Sequence, residues 1–187
     1  GVNLEKAVPD TFDDLARGFL GSFASMMAEG QPWLMRKLMA WDMSKLDNGS
    51  PNFKAFYDGL SDPSDEAWQK LERDRARLVE IWDGFLGQHE FLLSPVVYGP
   101  AFEHTTPGAR LDGDEGTMPY MDYVAYAYPI NELGFPTLSL PLGVNKDGLP
   151  IGVQIVGPRF SEAELLRLAK LLESVVPGYV KPKGFPQ

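Results

Sequence analysis

The stretch GFPTLSLPLGVNKDGLPIGVQIVG, residues 134–157, restricts the fold more than any other part of the chain. Its apolar residues alternate over two short runs, 137–144 and 151–156, with the period of half-buried strands. Asp147-Gly148 between them carries turn chemistry, so an antiparallel hairpin is the simplest pairing. Pro136 and Pro141 bracket the first run and limit where its ladder can donate, because proline has no backbone N–H. Gly143 serves the turn, and Gly152 leaves room for another backbone or side chain to approach. Gln154 projects opposite to Ile151, Val153 and Ile155. If buried, its amide needs partners, which points to a hydrogen-bonding role in fixing the core.

Downstream, Ser161 and Glu164 have the spacing of a capping box, with the Ser161 hydroxyl expected to accept from the Glu164 amide. The helix it opens places Leu165, Leu168, Ala169, Leu172 and Val176 on one stripe facing the sheet, and Pro177-Gly178 ends it. Upstream, FLLSPVV at 91–97 is a continuous apolar run that reads as a short strand buried on both faces. Pro95 inside it marks an edge or an abrupt end. Residues 98–119 read as a long irregular stretch, of the kind that carries function or is disordered.

The chain before residue 91 has helical periodicity. Residues 10–29 place Phe12, Leu15, Phe19, Phe23 and Met26 on one helix face, with Asp10 or Thr11 as cap. Pro32 starts a second short helix carrying Trp33, Leu34, Leu38 and Trp41. Met26, Met27, Met35, Met39 and Met43 crowd this region. A flexible ligand wall is one reading; a helix-pair core filled by methionine is the favoured one. After a polar loop at 47–51, a long helix begins at Asp62-Pro63 with Asp62 as cap. Trp68, Leu71, Leu78, Trp82 and Phe85 form its apolar face, while Glu72, Arg73, Arg77 and Glu80 form a solvated one. The fold expected is α/β: a mixed β-sheet flanked by helices over residues 91–187, with a helical first half over residues 1–90. Residues 1–187 read as a single domain or a partial one.

Charge and composition remove several classes of function. A net charge of −9 repels phosphate backbones, so nucleic acid is not an expected partner. With no cysteine there is no disulfide, thiolate metal site or cysteine nucleophile, which fits a reducing compartment. No apolar run approaches the roughly 20 residues of a membrane span, and GVNLEKAVPD lacks a leader's apolar segment. A cytoplasmic protein without a membrane partner is expected, and Gly1 in place of an initiator methionine points to missing upstream sequence. His89-Glu90 and Glu103-His104 lack the spacing of a zinc helix, so no metal or cofactor is expected. His104, in a polar loop, could donate to a substrate group or simply bond within its loop. Ser94-Pro95 lies in no G-x-S-x-G elbow and reads as hydrogen-bonded backbone punctuation rather than a nucleophile.

Asn131, Gly134, Pro136, Ser139, Pro141 and Gly143, followed by DGLPIGVQIVG at 147–157 and the helix SEAELLRLAKLLE, resemble the C-terminal part of the amidase signature hydrolases. FLLSPVVYGPAF matches more weakly the strand before that family's substrate-side loop; together the similarity covers roughly 91–176. The resemblance implies a hydrolase of C–N amide bonds that works through a Ser–Ser–Lys set and an oxyanion-holding glycine-rich loop. This sequence has no Ser-Ser pair and no Gly-Gly dipeptide, so those catalytic residues have no positions here. The resemblance places the segment YMDYVAYAY near the acyl pocket, and with it a substrate-side set of Tyr123, Tyr126, His104 and Asn131. The tyrosines are equally read as core aromatics of a helix against the sheet. Two functions remain open. One is the C-terminal part of an amidase, completed by a missing N-terminal amidase region and acting there on a small-molecule amide. The other is a stand-alone, non-catalytic amidase-like module that binds a small molecule or a partner and oligomerises, its exposed sheet edges and apolar surface covered by rearrangement or by another chain.

Overall fold

In the computed structural model the chain is described over residues 3–9, 11–46, 49–61, 64–106, 108–113, 116–179 and 181. Four helices come first: α1 (Phe12–Ala28), α2 (Trp33–Ser44), α3 (Pro51–Ser61) and α4 (Asp65–Gln88). Strand β1 (Leu92–Pro95) follows, then an antiparallel pair, β2 (Arg110–Gly113) and β3 (Gly116–Pro119). The helical turns α5 (Tyr120–Tyr123) and α6 (Tyr128–Leu133) lead into β4 (Thr137–Val144), β5 (Pro150–Val156) and α7 (Glu162–Leu172).

The expected hairpin is present. β4 pairs antiparallel with β5 from Thr137 opposite Val156 to Val144 opposite Pro150. A bulge falls between Pro141, opposite Gly152, and Gly143, opposite Ile151, so Leu142 is the extra residue. Gly143 takes φ +124° at that kink, where a side chain would be strained. β5 is the central strand, with β1 antiparallel on its other side in the order β1-β5-β4. The run 91–97 is therefore an edge strand and not one buried on both faces: Leu93 is 52% exposed, because β1 is outermost and α7 packs on Leu140 and Ile155. The stretch 98–119, expected to be irregular throughout, contains the β2–β3 pair.

Successive residues of β5 enter two cores on opposite faces of the sheet. Ile155 packs with Leu140, Leu165 and Ala169, which places α7 on one face. Val156 packs with Leu15, Leu78, Trp82, Ile130 and Phe135, which places α1, α4 and α6 on the other. The result is a helix–sheet–helix arrangement, the α/β class expected from the hydrophobic pattern. Leu165, Leu168, Ala169 and Leu172 are the α7 residues that face the sheet, as their spacing requires.

Three capping expectations resolve differently. Thr11 makes no side-chain cap; its Oγ1 accepts instead from the buried Trp82 Nε1 at 3.3 Å. Asp10, Asp62 and Pro63 lie outside the described residues, and α4 is capped by Ser64, whose Oγ accepts from Ala67 N at 3.2 Å. Ser161 closes no capping box. Its hydroxyl turns back and donates to Pro158 O at 2.6 Å, tightening the turn in which Phe160 takes φ 65°.

The helical half packs through small residues. The buried face of α1 is Leu15, Ala16, Leu20, Ala24, Ser25 and Ala28; of the expected stripe Leu15 is buried and Phe12 and Phe19 are half-buried against the cores, while Phe23 and Met26 are exposed. The reason is the close crossing of α1 and α3, where a Cβ on Gly59 would lie 2.5 Å from Gly21 O. Ser25 Oγ donates to Gly59 O at 3.2 Å across that contact. α2 adds Ala40 to the same cluster with Met39 and Met43 half-buried, so the expected helix-pair core holds for those two methionines. Met26, Met27 and Met35 are exposed, as are Trp33, Leu34, Leu38 and Trp41. Gly59→Val is expected to cost about 1–3 kcal/mol by forcing the crossing apart, read as a lower urea midpoint at unchanged slope. Gly18→Ala, which meets nothing within 4 Å, is the control and is expected to leave the midpoint unchanged or raise it.

Candidate functional site

A cleft of about 580 Å³ opens where β1 ends. Its walls are the segment 95–101, Tyr126, and the hairpin end at Asn145, Pro150, Ile151 and Gly152. Gln154, 4% exposed, holds this region together. Its Nε2 donates to Ser94 Oγ at 2.9 Å, Pro95 O at 2.9 Å and Tyr126 O at 3.2 Å. Two of these partners are carbonyls that can only accept, so the nitrogen must face them. With two N–H bonds for three acceptors, one hydrogen is shared. Ser94 thus bonds within the core.

A second clasp lies beside the first. Tyr98 N donates to Tyr123 O at 3.0 Å, and the Tyr123 hydroxyl donates to Pro100 O at 2.7 Å. Gly99 makes room for that hydroxyl, since a Cβ there would come within 2.5 Å of it. The Tyr126 ring stacks on Tyr98 at 4.4 Å between centroids and meets Phe12 edge-on at 5.6 Å. From below, Asp122 Oδ1 accepts from Ser50 Oγ at 2.6 Å and from Asn52 Nδ2 at 2.7 Å. Ser50 Oγ accepts in turn from Phe53 N at 3.1 Å, so the start of α3 anchors the turn α5. Burial, reinforced by the nearby Tyr120 and Asp122, pushes the Tyr128 phenol well above its usual range, and its O–H points at Met121 Sδ 3.5 Å away.

The four residues expected on the substrate side are not brought together. Tyr126 lines the cleft, and Tyr123, fully buried, braces the wall from behind. His104 is exposed in the segment 101–106, Asn131 is exposed on α6, and neither is among the lining residues. Sequence reasoning missed Tyr98, Asn145 and Ile151. Asn145 Oδ1 is committed to the hairpin turn, accepting from Asp147 N and Leu149 N at 2.9 Å each. It also missed the anchoring by Ser50, whose signal is only a serine just before a proline that starts a helix.

Chemically, the cleft offers shape and apolar surface: among the described residues its lining carries no ionisable side chain except Tyr98 and Tyr126, and no nucleophile beside a base. A second cleft of about 330 Å³, between α1 and α4, is lined by Asp14, Arg17, Lys70, Asp74, Arg75 and Arg77. Its charges are largely spent on one another, through Arg17–Asp14 at 2.5 Å and Lys70–Asp74 at 2.9 Å.

The helix–sheet–helix arrangement is shared with solved structures. It superimposes with TM-score 0.70 and 17% identity on an inhibitor-bound vestigial complex related to an s-triazine catabolic enzyme, covering 96% of this chain and 38% of that one. The TM-score is 0.64, at 22% identity, with 6-aminohexanoate cyclic dimer hydrolase complexed with substrate, covering 95% of this chain and 38% of that one. The Amidase family model matches residues 45–166, and the chain belongs to the amidase family. It is 35% identical over 119 residues to a subunit of the glutamyl-tRNA(Gln) amidotransferase of Exiguobacterium sibiricum, covering 64% of this chain and 23% of that protein. It is 33% identical over 111 residues to fatty acid amide hydrolase of Arabidopsis thaliana, covering 59% of this chain and 18% of that protein. The matched part is thus about a quarter or less of these relatives' length.

Gln154 makes two predictions. Gln154→Leu leaves the Pro95 and Tyr126 carbonyls without their donor and is expected to cost about 1–3 kcal/mol in urea unfolding. Gln154→Glu presents a carboxylate to the same carbonyls, so burial raises its pKa above the unfolded value. Such a group is protonated and able to donate at acid pH; stability is then lost as pH rises from the unfolded carboxylate range through the folded pKa. Unfolding across that range is expected to show the Glu variant falling away from the parent towards neutral pH.

Proposed function

We propose that this chain is the C-terminal part of an amidase that hydrolyses C–N amide bonds, contributing the sheet core and one wall of the substrate pocket. The observation that carries this reading is the cleft walled by Tyr126 and the segment 95–101, within a chain of the amidase family. The nucleophile, its bridging serine, the lysine and the oxyanion donors belong to a region outside these 187 residues, which hold no Ser-Ser pair and no Gly-Gly dipeptide. Within the pocket, Tyr126 forms wall and Tyr123 holds it in place. His104 and Asn131 reach substrate only where the rest of the protein brings substrate to them. A cytoplasmic location is part of the same proposal; among the described residues no helix is long and apolar enough to cross a membrane.

A second reading has its own observation in favour. Trp33 and Trp41 are 67% and 61% exposed, with Leu34 and Leu38 beside them, a patch that invites cover. A stand-alone module that self-associates through such surfaces would be non-catalytic and dimeric at micromolar concentration. Two measurements separate the readings. The purified chain is expected to show no fluorophosphonate labelling and no amide hydrolysis, with both appearing when the upstream amidase region is added in trans. Stoichiometric labelling of the 187-residue chain alone overturns the first reading. A mass in solution that remains monomeric at all concentrations overturns the second.

A further inference from the structure

We propose that the cleft at the end of β1 accepts an uncharged, flat apolar group of an amide substrate, aryl in preference to charged, and excludes amides whose side chains carry a carboxylate or an ammonium. The proposal rests on the amidase reading above and narrows it to a substrate class. Three observations carry it. First, the lining offers no counter-ion. Among the described residues no acidic or basic side chain lines this cleft. A charge entering it would lose water and gain no partner, a cost that a neutral group avoids. Second, the polar groups present are neutral and mostly spent. Asn145 Oδ1 is held by the hairpin turn, and the Pro95 carbonyl receives Gln154. The Asn145 NH₂ has no hydrogen bond among the described residues, which leaves it, beside the Tyr126 hydroxyl, as a neutral donor suited to a carbonyl oxygen.

Third, the wall is rigid and flat. The Tyr98 and Tyr126 rings are stacked with 29° between their planes, and both backbones are fixed, Tyr98 N to Tyr123 O and Tyr126 O to Gln154 Nε2. A held aromatic pair gives contact area without ordering cost and favours a second ring. Val96, Val97 and Ile151 complete an apolar lining within a volume of the size that small-molecule sites use. The charged cleft between α1 and α4 is the contrast: it holds ions of both signs and no aromatic lining.

The test uses the isotope-labelled 187-residue chain, titrated with benzamide, its para-carboxylate and its para-aminomethyl analogue, and read by amide chemical shifts. Benzamide is expected to move the signals of Tyr98, Gly99, Tyr126, Ile151 and Gly152. The two charged analogues are expected to bind there at least about tenfold more weakly. Tyr126→Ala is expected to weaken benzamide, and Ile151→Lys, at a 40% exposed position, to bring in the carboxylate. A charged analogue binding these residues as well as benzamide overturns the substrate class, as does benzamide shifting only residues elsewhere. Failure of the amidase reading is seen separately, as absence of hydrolysis of every amide once the upstream region is supplied. Hydrolysis confined to charged amides would overturn the class and leave the amidase reading standing.

Discussion

The buried amide of Gln154 is the interaction on which the functional half of this chain depends. It sits on the central strand of a three-stranded sheet and donates to two segments that are far apart in sequence, at Ser94-Pro95 and at Tyr126. Satisfying a side-chain amide inside a core is demanding, and each missing partner costs more than each made bond returns. The geometry therefore over-determines where β1 ends and where the chain turns after α5. The cleft is the space that remains when those two positions are fixed, which is why its wall is backbone-supported and not a mobile loop.

Much of the sheet was legible in the amino-acid order, because strand pattern and turn chemistry agree there. Alternation in residues 137–156, with Asp147-Gly148 between the runs, leads to the observed hairpin, and the isolated polar Gln154 in an apolar run signals its own burial. The α7 stripe was legible for the same reason. The two cap failures share one cause: a side chain with a second possible partner. Thr11 and Ser161 have the chemistry of helix caps, but Trp82 Nε1 claims one and Pro158 O the other. Local spacing cannot rank a cap against a tertiary partner that only the fold supplies.

The α1 face illustrates a second limit. Large apolar residues at helical spacing suggest a buried stripe, yet the stripe that is buried runs through Ala16, Ala24, Ser25 and Ala28. Close approach to Gly59 of α3 outweighs the area that burying Phe23 or Met26 would gain. The candidate site was half legible. Tyr123 and Tyr126 came from their segment, but Tyr98, Asn145 and Ile151 enter only once β1 and the hairpin end are side by side.

On the proposed reading, wall and chemistry are separable because they make different physical demands. A wall needs rigid apolar surface with its backbone groups satisfied, and Gln154 and Tyr123 supply such bonds within the chain. Bond cleavage needs a nucleophile, a base and oxyanion donors held in mutual register. The first demand is met locally and folds with the sheet. On the same reading the second requires further structure beside the cleft, and an open cleft whose wall is tied back by Gln154 is a surface against which such structure can seat. The exposed β1 and β4 edges and the apolar face of α2 have the same character: they are unfinished in packing, while the backbone around the cleft is tied by Gln154 and Tyr123.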